Sequence, residues 1–83
     1  LDKNIKVFFI KFNDPYFVKL EKLHMISKLT DNKNFETVLT ELVEYTNDVD
    51  IEFGRKAMKV IGRICVKIDK AAEKYFLFRE KLS

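Results

Sequence analysis

The sequence contains one cysteine, one proline, two glycines, a lone histidine and no tryptophan in 83 residues. Each scarcity excludes something. The single thiol, Cys65, rules out an internal disulfide and a cysteine-based zinc site, and it suits a reducing compartment. His24 alone cannot build a zinc centre, which needs several ligands. Two glycines and one proline are too little turn material for an all-β sandwich, and they point to helices with short connections. No apolar run approaches the roughly 18 residues of a membrane-spanning helix. Sixteen Lys and Arg against thirteen Asp and Glu leave a charge of only +3. A modest excess of this kind, read as spread along the chain, is not the footprint of a nucleic-acid binder. The chain opens at Leu1 with neither an initiator Met nor a signal peptide, which reads as a piece of a larger protein.

What is present suits a folded helical domain: 47% apolar and 35% charged residues. A chain this short buries about 60–65% of its unfolded surface, so no deep substrate pocket is expected. Residues 1–13 carry one β-like run, Val7 to Ile10, between Lys6 and Lys11, and are expected to form an extended lead-in. Asp14-Pro15 is a helix start, with Asp14 as cap and Pro15 at the first helical position. The helix is predicted over 15–29, with two apolar stripes, Leu20/Leu23/Ile26 and Val18/Met25/Leu29, so it is contacted from more than one side.

After a polar break at 30–33, Asn34 is the expected cap of a second helix over 35–47, with Phe35, Val38, Leu39, Leu42 and Thr46 on one face. Asp50 then caps a third helix over 51–67, whose inner face reads Phe53, Ala57, Val60, Ile61, Ile64 and Ile68. Gly54 and Gly62 each cost about 1 kcal/mol of helix propensity, and they are expected to let a neighbour approach closely. Asp69 caps a fourth helix over 70–82, burying Ala72, Tyr75, Phe76 and Leu82. Taken as pairs, 14–47 and 50–83, the helices repeat at a solenoid-like spacing. The pattern favours an α-α superhelix of the HEAT/armadillo kind, about two helix pairs long, over a four-helix bundle.

Residues with chemical potential have blander explanations. His24 reads as a surface or half-buried histidine, and Cys65, with no base nearby, as a structural thiol. Glu41, Glu44, Asp48, Asp50 and Glu52 gather at the second break but lack the spacing of a calcium loop. Lys19, Lys22 and Lys28 interleave with Glu21, a solvated face first and a phosphate patch second. No cofactor or metal site is expected, and the chain reads as scaffold rather than enzyme.

Three segments carry a resemblance. KVFFIKFNDPYFVKLEKLHMI (6–26), ETVLTELVEYTNDVDIEF (36–53) and RKAMKVIGRICVKID (55–69) are similar to blocks of the beta-adaptins, in the same order and spacing. Gly54, His24 and residues 75–83 depart from the family pattern. The resemblance implies the trunk of a large beta subunit of a clathrin adaptor complex, of the Golgi, endosome or plasma-membrane type. It implies a non-enzymatic role in vesicle-mediated protein transport and cargo sorting, in the cytoplasm at the periphery of those membranes. Its partners would be a second large chain, a medium chain and a small chain, with clathrin bound through regions outside this stretch. It also implies a role for Val49: by position this residue matches the apolar side chain that plugs the medium chain's pocket for tyrosine-based sorting signals. Val49 lies alone between Asp48 and Asp50, where exposure is expected and needs no function. A HEAT/armadillo-type module from another scaffold is the competing reading, and a basic nucleic-acid-binding protein the weaker one. Phe8, Phe9, Phe12, Phe76 and Phe78 mark end faces through which an excised piece would self-associate.

Overall fold

The computed structural model of the chain describes residues 4–69. Every regular element among them is helical, the all-α fold expected. A 3-10 turn, Ile5–Phe8, precedes α1 (Tyr16–Leu29), α2 (Phe35–Tyr45) and α3 (Ile51–Lys67). The fourth helix expected over 70–82, with Ala72, Tyr75, Phe76 and Leu82, lies outside the described residues.

The lead-in is not simply extended. Asn4 Oδ1 accepts the Lys6 N–H and caps the 3-10 turn. With three residues per turn, Ile5 and Phe8 fall on one side. Ile5 is buried and Phe8 half-buried, whereas Val7 is exposed. A strand would have alternated this run between two faces, and there is a core on only one.

The start of α1 also differs from expectation. Pro15 occupies the cap position and Asp14 does not cap the helix. Its Oδ2 accepts the Lys11 N–H at 2.8 Å and the Lys22 ammonium at 2.6 Å. A charged partner outcompetes the free amides. The Lys22 bond foremost, then the Lys11 amide, holds the Asp14 carboxyl below its usual range. Of the two apolar stripes, Leu23 and Ile26 are buried with Leu20 half-buried, while Val18, Met25 and Leu29 are all half-buried.

The break at 30–33 hides a core residue. Thr30 is almost fully buried, its hydroxyl donating to the Ile26 carbonyl. Asn34 stands at the α2 boundary but makes no side-chain cap bond. Its Oδ1 instead accepts the Asp31 N–H, while Asp31 Oδ1 accepts the Lys33 and Asn34 amides. The turn is closed by this reciprocal pair.

Helix α3 is the hub, packed against both α2 and α1. Its predicted inner face is buried throughout: Phe53, Ala57, Val60, Ile61, Ile64 and Ile68. On α2, Phe35, Val38, Leu39 and Leu42 face it as expected, but Tyr45 rather than Thr46 completes the stripe. Burying one Leu, Ile or Phe side chain contributes about 1.5–3 kcal/mol, so this interface dominates stability. The two glycines part company. A Cβ on Gly54 would meet the Thr46 carbonyl oxygen at 3.0 Å, so any side chain there requires the backbone at the end of α2 to give by a few tenths of an ångström. Gly62 has nothing within 4 Å, and the close approach expected at it is not seen among the described residues.

Candidate functional site

The turn between α2 and α3 combines exposure with rigidity. Past Leu42, α2 unwinds through the Thr46 N–H to Leu42 and Val43, Asn47 N–H to Glu44, and Asp48 N–H to Tyr45. Asp48 Oδ1 then accepts the Asp50 N–H at 2.8 Å. Asp50 Oδ1 accepts the Glu52 and Phe53 amides at 3.0 and 3.3 Å, the N-cap of α3 as predicted. Its negative charge also suits the positive end of that helix. Each aspartate flanking Val49 is thus committed to holding backbone.

Beneath the turn, Tyr45 and Phe53 pack their rings 5.9 Å apart at 50°. The Lys19 ammonium of α1 lies 5.5 Å above the Phe53 ring and 4.0 Å from Asp48 Oδ2. Three helices therefore brace one corner. Val49 projects from it with 99% of its surface exposed, and Ile51 follows at 70%. The structure places Val49 where the sequence did, on a turn between carboxylates. It is an exposed aliphatic side chain on a turn held by its own hydrogen bonds.

Among other predicted candidates, Lys19 and Lys22 are ion-paired with Asp48 and Asp14, which removes two of the three cations of the supposed phosphate patch. Lys28 is exposed, and its carbonyl accepts the Lys67 ammonium. His24 is exposed beside Leu20, Glu21 and Met25. Burial pushes the half-buried Cys65 thiol up, opposite to the activation a nucleophile needs. Among the described residues no group of His, Cys, Asp or Glu is placed to hold a metal ion.

Two features escaped the sequence reading. Tyr45 reaches from α2 to the lead-in, its hydroxyl accepting the Ile10 N–H at 2.8 Å. Its spacing from Val38 and Leu42 was the available signal. The second is the distribution of charge. The basic excess is not spread: α3 holds five cations and one acid, leaving eleven against twelve in the rest of the chain.

Residues 1–78 match the family model described as the adaptin N-terminal region. The chain belongs to that family. Adaptin relatives include the AP-1 complex subunit beta of Dictyostelium discoideum, 50% identical over 74 residues, or 89% of this chain and 8% of that protein. The human AP-1 complex subunit beta-1 is 47% identical over the same share. The AP-2 complex subunit beta of Schizosaccharomyces pombe is 42% identical over 81% of this chain and 10% of its own. The beta-adaptin resemblance is therefore borne out, and the chain spans a tenth or less of these relatives. The Val49 turn lies inside the matched residues. No helix among the described residues is long and apolar enough to cross a membrane.

Proposed function

We propose that this chain is a trunk segment of a clathrin adaptor beta subunit and acts as a non-enzymatic scaffold in vesicle-mediated transport and cargo sorting. The observation that carries this is the 50% identity to an AP-1 beta subunit across 89% of the chain. The helix pairs 14–47 and 50–83 are units of an α-solenoid, stacked between further pairs of the parent protein. Helix α2 packing on α3 supports this, since in a stack one pair lies on the next. The partners are a second large chain, a medium chain and a small chain. The assembly works in the cytoplasm on coated vesicles at Golgi, endosomal or plasma membranes, and reaches clathrin through regions outside this segment.

Within that assembly Val49 is the plug of the medium chain's tyrosine-signal pocket. Full exposure on a braced turn supports the reading, because a plug must reach its pocket without unfolding its own support. The test is Val49→Asp in the complex assembled from the full-length parent and its three partners. A carboxylate in an apolar recess is strongly disfavoured. The variant should therefore bind a tyrosine-signal peptide more tightly than the parent complex. Unchanged peptide affinity would remove the assignment of Val49.

A further inference from the structure

The outer face of α3 carries a feature that the adaptor reading does not use. Arg55, Lys59, Arg63 and Lys67 recur every four residues, and all four are exposed. Lys56 stands half-buried beside them. Neither ion pair among the described residues involves this helix, whose single acid is Glu52 at its start; the Lys67 ammonium donates to the Lys28 carbonyl at 3.1 Å and keeps its charge unpaired there. Gly62, with no atom of the described residues within 4 Å of where a Cβ would sit, leaves a shallow dent between Lys59, Arg63, Val66 and Lys67.

We propose that the row Arg55, Lys59, Arg63 and Lys67 is the docking surface for an extended acidic segment of a partner protein, one carboxylate per cation. Spacing supports the match. Four residues of helix rise about 6 Å, so the row runs about 18 Å. Alternate residues of an extended chain stand about 6.6 Å apart on one side. An acid at every second position thus stays in step with the cations across the whole row. The dent at Gly62 lets the visiting backbone come close, and the exposed Val66 offers an apolar contact beside the charges.

The same geometry argues against a membrane surface. Each step of four residues advances about 40° around the axis, so the row turns by about 120° from end to end. A plane meets only part of such a row, whereas an extended peptide crosses the helix obliquely and follows it. The opposite face of α3 is committed to the core through Phe53, Ala57 and Ile64, so the helix cannot roll into lipid.

The test uses the full-length parent protein. Fluorescence anisotropy with a labelled peptide of alternating Glu and Thr should show binding that weakens with added salt. Its counterpart of alternating Gln and Thr should not bind. Combined Lys59→Glu and Arg63→Glu should weaken binding at least about tenfold, because like charges then face each other. The milder pair Lys59→Gln and Arg63→Gln should fall between. Lys33→Glu, an exposed lysine on the α1–α2 turn, should change affinity by less than about twofold, the level expected of a remote surface site. Equal binding of the two peptides, or insensitivity to the double reversal, would overturn the proposal. So would a double reversal that abolishes sedimentation with phosphatidylserine vesicles yet spares peptide binding, which would assign the row to lipid.

Discussion

Tyr45→Phe isolates the one side chain that ties the lead-in to the helices. The ring stays, 5.9 Å from Phe53, so the apolar contribution is retained and only the hydroxyl goes. Its loss leaves the Ile10 N–H, now 2.8 Å from that oxygen in a half-buried position, with no acceptor. An unmade bond of this kind costs about 1–2 kcal/mol. In a domain of this size that lowers the melting temperature by about 4–8 °C for each kcal/mol. Tyr45→Ala removes the ring as well and should cost about 3–5 kcal/mol. The alkaline limb gives a second reading. Burial raises the phenol above its ordinary value of 10.0. The unfolded chain then loses this proton more readily than the folded one. The contribution is complete below pH of about 10 and declines above it, as the unfolded phenol ionises. Urea unfolding with amide exchange at Ile10 is the assay. Tyr45→Phe should speed exchange at Ile10 and remove this alkaline dependence. Unchanged stability together with unchanged Ile10 protection would refute the assigned hydrogen bond.

Gly54→Ala should destabilise despite the better helix propensity of alanine. The new Cβ meets backbone at Thr46, and overpacking of this kind typically costs about 1–3 kcal/mol. A rise in melting temperature would show that α2 and α3 are not so close. Asp50→Ala removes the acceptor for two α3 amides and should cost about 1 kcal/mol by urea unfolding, whereas Asp50→Asn should recover most of it. Light scattering of the isolated 83-residue chain should show a mass that rises with concentration, since Phe12 and Phe17 are 102% and 67% exposed. A constant monomer mass across a wide dilution series would contradict this.

Much of the fold was legible because α3 and α2 carry clean periodicity. The inner face of α3 and the Asp50 cap follow from spacing and from one capping rule. The lead-in was not legible, because four apolar residues in a row state burial without stating backbone geometry. Asp14 misled for a different reason. Capping depends on nearest sequence neighbours, whereas Lys22 approaches it from two turns along α1. Thr30 looked like punctuation, yet its hydroxyl satisfies itself on the preceding turn and so tolerates burial. Gly54 and Gly62 look identical in sequence and differ only in what stands opposite. As for the site, Val49 was placed on its turn by position alone, but the brace of Lys19, Tyr45 and Phe53 needed three-dimensional contacts. The basic row on α3 was written in the sequence at every fourth residue and was masked by a small net charge.

The most direct test of the account is to tag the full-length parent protein in its own cells, purify it gently and identify what accompanies it. The expected result is stoichiometric recovery of a second large chain, a medium chain and a small chain. Recovery of some other assembly, with none of those three, would leave the helical stack standing and contradict the adaptor function.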